Sequence, residues 1–166
     1  KAGSVLEKNE DDFLQAFNML FQTVQFTTSL VLKYMQQNKW GRIINLTSRT
    51  VKEPVDTLAL SNTIRAAVTT WGKTLANAVA KDNITVNNIL TGNFNTERLK
   101  QLFQLQADAH EKTLEEIYES TTKLIPAQRL GPPEEMANAV TFLASEQASY
   151  ITGTSIAVDG GLIKSL

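Results

Sequence analysis

Apolar positions along this chain follow two periods in turn, and the order of those periods sets the expected elements. Phe13, Phe17, Leu20, Val24, Val31 and Met35 recur at three- to four-residue and heptad spacings, the period of one helix face. Asn9 followed by Glu10-Asp11-Asp12 supplies an N-cap and first-turn acids that suit the helix dipole. The pattern predicts one long helix over Asp11–Gln37, ending before Gly41. Arg42-Ile43-Ile44-Asn45-Leu46 is a short, mostly apolar run that reads as a buried strand. Leu60, Ile64, Ala67, Val68, Trp71, Leu75 and Val79 then return to the helical period and predict a helix over Leu58–Lys81. Lys81-Asp82-Asn83 makes a turn into Ile84-Thr85-Val86-Asn87-Asn88-Ile89-Leu90, a strand rich in β-branched residues.

The second half is more polar. Between Glu97 and Leu124 the pattern is helical, with Leu99, Leu102, Phe103 and Leu105 on one face and a helix start at Thr113-Leu114-Glu115-Glu116. Pro133 with Glu134-Glu135 opens a further helix carrying Met136, Val140, Phe142 and Leu143. Thr154–Val158 reads as the last strand. Strand–helix–strand alternation makes parallel pairing and right-handed crossovers the default. The expected fold is therefore α/β: a three-layer parallel sheet with helices on both faces, in a single domain over residues 1–166.

Composition narrows the function. A net charge of −1 gives no electrostatic case for nucleic acid or for an anionic membrane. Hydrophobic residues at 42% and charged residues at 20% suit a globular protein. Phe13–Leu32 is uncharged over about a membrane-spanning length, but Gln15, Asn18, Gln22 and Gln25 recur along it, so an amphipathic helix is expected there. No cysteine is present, which removes disulfides and thiolate metal sites and fits a cytoplasmic location. His110 is the single histidine and lies in the polar segment, so it reads as a surface residue and no metal site is expected.

The candidate chemistry gathers around Gly41–Val68. Ser48 follows the first strand's C-terminal end, where open α/β sheets place ligands. Ser61 and Arg65 are four apart on the next helix and share one face. This stretch resembles the short-chain dehydrogenases/reductases. In that family a Ser at a strand end is followed 13 residues later by a Tyr and four residues further by a Lys. Ser48, Ser61 and Arg65 occupy those three places. The helix before the first strand has an active-site Asn in the family, and Leu20 stands at its position. Thr91-Gly92-Asn93-Phe94-Asn95-Thr96 is similar to the family's Pro-Gly-x-x-x-Thr loop. The turn Ile125–Glu135 and the closing Thr152-Gly153 and Asp159-Gly160-Gly161 are similar to its C-terminal signature.

The resemblance implies a Rossmann-type fold and an NAD(P)-dependent oxidoreductase of 3-oxoacyl-reductase-like type. The substrate would be a small-molecule carbonyl or alcohol. Ser48, Ser61 and Arg65 would stand in the catalytic places, and Arg65, Gly92, Phe94 and Thr96 would hold the nicotinamide end of the cofactor. The alternative for Thr96 is a plain helix N-cap. Residues 97–125 would form the substrate lid. A homodimer through the helices Asp11–Gln37 and Leu58–Lys81, or a homotetramer using the last strand as well, is implied too. The family's Gly-rich turn, its cofactor selector and its Asn-Ala-Gly turn are expected before Lys1, so NAD or NADP would bind the whole protein and not this chain by itself. Ser61 is shorter and far less acidic than Tyr, and Arg65 keeps its proton. Asp56, Thr57 and Lys52 are then the other candidate proton donors. A binding or structural protein on the same fold, without hydride chemistry, is the second functional class.

Overall fold

The computed structural model describes residues 2–165. Its helices are α1 (Glu10–Phe17), α2 (Thr23–Asn38), α3 (Ala59–Val79), α4 (Glu97–Ala109), α5 (Leu114–Leu124) and α6 (Pro133–Ala144). Its strands are β1 (Gly41–Leu46), β2 (Ile84–Thr91) and β3 (Ser155–Val158). The strands form one sheet in the order β1-β2-β3. Both pairings are parallel, as expected, with Asn45 opposite Asn88 and Ile89 opposite Ile156.

Side-chain alternation gives each face of the sheet its own helices. Ile43, Ile84 and Val86 pack with Ala76 and Val79 of α3 and with Leu32 and Met35 of α2. Ile44, Ile89 and Ile156 face the other way, onto Met136, Ala139, Val140 and Leu143 of α6. β2 is buried along nearly its whole length, which is the cost of lying between two layers and the reason it reads as an unbroken apolar and β-branched run.

The α3 side of the sheet also holds buried amides. Asn45 Nδ2 donates to Asn88 Oδ1 at 3.0 Å. Asn88 Nδ2 donates to the Thr69 carbonyl of α3 at 3.3 Å and to Ser155 Oγ of β3 at 3.4 Å. One side chain thus joins all three strands and the helix above them. Gly72 makes room for it, since a Cβ there would meet Asn45 Nδ2 and Asn88 Oδ1 at 2.9 Å.

The expected single helix over Asp11–Gln37 is instead two α-helices joined by a π turn, Asn18–Gln22. The Asn18 carbonyl accepts both the backbone N–H and, at 3.1 Å, the hydroxyl of Thr23. The five-residue spacing inserts one residue into the helical count, so the stripe from Phe13 through Leu20 to Val31 does not describe one straight face. Asn9 caps α1 in a reciprocal capping box with Asp12, and Thr113 does the same for α5 with Glu116. The helix expected over Leu58–Lys81 ends at Val79 and tightens into a 3-10 turn, Ala80–Asp82, before Asn83 turns left-handed at φ 57°.

Asp82 fastens this corner. Its carboxylate is buried and accepts from Lys39 and, at 3.2 Å, from Gln36 Nε2, both at the end of α2. The Lys39 bond first, then Gln36, holds its pKa below the usual carboxylate value. At the C-terminus, Glu53 is lowered by the backbone N–H groups of Lys164 and Ser165.

Two tests follow from these contacts. Asn88→Ala strands Asn45 Nδ2 in the core and should lower unfolding free energy by about 1–3 kcal/mol, read as a lower urea midpoint at unchanged slope. A carboxylate with a depressed folded pKa stabilises the fold above its unfolded pKa and loses that contribution as pH falls through the folded value. Thermal midpoints should therefore drop on acidification below about pH 4, and Asp82→Asn should be less stable at pH 7 yet show a shallower acid limb. A limb of unchanged steepness in that variant would remove Asp82 from the account.

Candidate active site

The C-terminal ends of β1 and β2 are stitched together before any functional side chain appears. Thr47 donates its N–H and its hydroxyl to the Ile89 carbonyl, at 2.8 and 3.2 Å, and Thr91 Oγ1 donates to the Thr47 carbonyl at 2.9 Å. Ser48 leaves this stitched end and caps the short 3-10 turn Arg49–Val51. Its Oγ accepts from Thr50 N at 3.2 Å and from Thr50 Oγ1 at 3.1 Å, which leaves its own hydroxyl hydrogen to donate.

α3 brings Ser61 and Arg65 to the same end of the sheet. Arg65 Nε donates to Ser61 Oγ at 3.2 Å, and its Nη1 donates to the Leu46 carbonyl at 3.1 Å. The guanidinium therefore ties the helix to the strand two residues before Ser48. Burial lowers its pKa, though a guanidinium stays a cation across the physiological range. Ser61 accepts from that cation, so its O–H is polarised and points its hydrogen elsewhere. Ser48 and Ser61 have no hydrogen bond to each other; at this end of the sheet Arg65 links α3 to β1 through the Leu46 carbonyl.

Ser61 opens onto a cleft of about 480 Å³. Leu20 from the π turn, Leu60 from α3 and Leu102 from α4 give it apolar walls, and Asp12 and Arg98 are its charged linings. Leucine, in the place where the resemblance puts Asn, thus does face Ser61's cleft, and Asn18 does not line it. Lys52 and Asp56 are exposed. Asp56 lines a separate cleft with Thr50 and Asn62, and neither it nor Lys52 or Thr57 borders the one at Ser61.

The loop after β2 assigns its residues different tasks. Gly92 donates its N–H to the Val158 carbonyl at 3.0 Å, and a Cβ on it would meet Asp159 Cα at 2.5 Å. Close approach to the end of β3 is what demands glycine there. Asn95 N and the Asn93 carbonyl pair with Gly131, at 2.8 and 3.1 Å. Phe94 between them keeps its own N–H and C=O without hydrogen bonds among the described residues. That donor and acceptor on one residue fit a carboxamide. Thr96 Oγ1 accepts from Leu99 N at 3.3 Å and caps α4, so the plain N-cap role is realised, with its hydroxyl hydrogen left over. Arg65 likewise retains guanidinium donors beyond the two in use.

Two features of this site were not singled out in the sequence. Ala2 borders the Ser61 cleft, and Gly3, at φ 139°, donates to the Thr57 carbonyl at 2.6 Å. In residue type Ala2-Gly3 matches the Ala-Gly of the turn expected before Lys1, and that dipeptide was the signal. Arg98 was hidden in an apolar stripe assigned to one face. That face divides: Leu99, Phe103 and Ala107 pack against Ile117 and Leu130, whereas Leu102 lines the cleft with Arg98 and Leu105 is exposed. His110 ends α4 at the surface, and the described residues contain no metal-capable cluster of side chains.

The family model described as enoyl-(acyl carrier protein) reductase matches residues 1–163. The chain belongs to the short-chain dehydrogenase/reductase family. This short-chain dehydrogenase/reductase is 37% identical to the NADPH-dependent reductase BacG of Bacillus subtilis over 132 residues, 80% of the chain and 51% of that protein. It is 35% identical to the 3-oxoacyl-[acyl-carrier-protein] reductase FabG of Rickettsia bellii over 156 residues, 94% of the chain and 60% of that protein. The chain thus spans between half and three-fifths of the length of these relatives. Its fold superposes on YwfH, an NADPH-dependent reductase involved in bacilysin biosynthesis, with a TM-score of 0.95 at 31% identity, covering all of this chain and 64% of that one. L-sorbose reductase of Gluconobacter frateurii, solved with NADPH and L-sorbose, gives 0.93 at 27% identity with the same coverage. These neighbours share the Rossmann-like parallel sheet with flanking helices. No helix among the described residues is long and apolar enough to cross a membrane.

Proposed function

We propose that this chain forms the substrate side of an NAD(P)-dependent oxidoreductase, 3-oxoacyl-reductase-like, that reduces a carbonyl or oxidises an alcohol. The observation that carries this reading is the Arg65–Ser61 hydrogen bond anchored on the Leu46 carbonyl. It places a fixed charge and a polarised hydroxyl at the sheet end where such folds bind ligands. Ser48 adds a second hydroxyl donor. Phe94's free N–H and C=O, the Thr96 hydroxyl and Arg65's remaining donors would hold the nicotinamide carboxamide and ribose, with Gly92 allowing the loop's close approach to β3. The nicotinamide supplies hydride when it is bound.

In this assignment Ser61 and Arg65 stand where the family has Tyr and Lys, and their chemistry differs accordingly. A phenol titrates near 10 and can give its proton to a forming alkoxide. Ser61 is too weak an acid for that, and Arg65, although burial lowers its pKa, stays a cation and does not relay one. The pair acts by holding negative charge on the substrate oxygen, as oxyanion donors do. General acid catalysis is worth about 10²–10⁴-fold, so turnover of simple ketones is slow, and Leu20 offers no polar contact to compensate.

The protein is further read as a cytoplasmic homodimer, with a homotetramer through β3 as the larger alternative. α2 exposes Phe26, Leu30 and Tyr34 at 59, 52 and 56%. These lie at four-residue spacing along one stripe, more apolar surface than a solvated helix needs.

Steady-state assays on the whole protein with NADPH and NADH test the catalytic reading. Ser61→Ala and Arg65→Met should each lower kcat/KM by about 10-fold or more. The double change Ser61→Tyr with Arg65→Lys should raise it by about 10²-fold. Tight cofactor binding with no turnover in any of these proteins would select a binding role instead. Robust turnover untouched by Ser61→Ala would place proton transfer on another group. For assembly, light scattering at micromolar concentration should give a dimer or tetramer, and Phe26→Glu with Leu30→Lys should shift it toward monomer. A monomeric unaltered protein would refute the interface.

A further inference from the structure

Among the described residues Arg98 is the cation that lines the Ser61 cleft, and none of them engages it. Its guanidinium makes no hydrogen bond and no ion pair among the described residues. Arg129, which also borders a pocket, is engaged on both carboxylate oxygens of Glu135, at 3.0 and 2.8 Å, and Arg65 is engaged on Ser61 and Leu46. Its own helix offers no acid either, because Glu97 is held by Lys100 at 2.8 Å and Asp108, ten residues along, accepts from Gln104 at 2.8 Å. Across the cleft, Asp12 accepts from Asn9 N in the capping box of α1.

The cleft itself has the size of a small-molecule site, which runs from about 300 to 1,000 Å³. Its walls at Leu20, Leu60 and Leu102 are apolar. A cation beside such walls recognises an anionic group more strongly than one in open water, and a guanidinium matches a carboxylate with two parallel bonds. Ser61 directs its free hydroxyl hydrogen from the same lining. One molecule seated there would present a carbonyl oxygen to Ser61, an apolar body to the leucines and an anion to Arg98.

We propose that Arg98 is a specificity-determining residue that selects substrates bearing a carboxylate near the reacting carbonyl, an oxo acid rather than a neutral ketone. This rests on the oxidoreductase reading above and names the substrate class for it. Arg98 acts on binding and takes no part in proton transfer, so its removal raises KM for the acid and leaves kcat nearly unchanged.

The test uses the whole protein with NADPH and two probes, 2-oxo-4-phenylbutanoate and its ethyl ester. The quantity read is the ratio of kcat/KM for acid over ester. Arg98→Met keeps the length and apolar stem of the side chain, and since Arg98 is exposed the variant should fold normally. It should lower the ratio by about 10- to 100-fold, chiefly through KM for the acid. Arg98→Lys should restore part of the loss, since an ammonium keeps the charge without the fork. An unchanged ratio in Arg98→Met overturns the proposal. So does an unchanged ratio with a raised KM for NADPH, which would assign Arg98 to the cofactor's phosphates. If no probe is turned over by any variant, the oxidoreductase reading fails separately. Calorimetric affinities for the same two probes in the presence of NADPH then decide Arg98: acid binding weakened only in Arg98→Met supports it, and equal binding in both proteins overturns it.

Discussion

A buried amide hub governs how this fold fits together. Asn88 sits at the middle of the central strand and bonds to Asn45 on one neighbour, Ser155 on the other and the Thr69 carbonyl of the covering helix. A buried amide is costly unless its donors and acceptor are matched. Apolar packing alone would accept several sliding positions of α3 over the sheet. The hub accepts one, because only one register of β1 and one depth of α3 satisfy it together. Gly72 is part of the same constraint, since any side chain there would hold α3 away from the hub. Ser61 and Arg65 ride on this helix, so the height of the candidate site above the strand ends is fixed by amides one to three turns away.

At the site, the same helix is tied to the sheet by a charge. Arg65 makes a structural contact with the Leu46 carbonyl and a polarising contact with Ser61. A residue with both duties is difficult to exchange. Lysine would carry the charge but could not span helix hydroxyl and strand carbonyl with one planar group. A tyrosine–lysine pair placed at these two positions would therefore alter the tether along with the chemistry.

Much of the fold was legible because its signals are local. The period-two and near-continuous apolar runs at Arg42–Leu46 and Ile84–Leu90 found two strands. Asn9, Thr96 and Thr113 marked helix starts through cap chemistry that needs only a few neighbouring residues. The spacing of Ser48, Ser61 and Arg65 found the residues that meet the sheet end. What was not legible depended on distant geometry. The π turn at Asn18–Gln22 leaves no mark in hydrophobic spacing, because one inserted residue looks like ordinary irregularity in a stripe. Arg98 was lost among leucines, because α4 divides its apolar positions between a core and a cleft, and that division is set by α5 and the π turn rather than by α4's own sequence. The buried asparagines read as ordinary strand residues, since their partners lie on other elements.

The sheet has two outer strands, and β1 is the longer of them. Among the described residues one side of β1 has no strand beside it. That leaves a row of backbone donors and acceptors along a regular, twist-compatible template, without the proline or inward lysine by which edges are commonly blunted. Such a row is indifferent to which polypeptide pairs with it. Whatever segment pairs there must follow the register of Gly41–Leu46 and bring donors and acceptors that match that row, so the identity of its neighbour is written in backbone geometry and not in side chains.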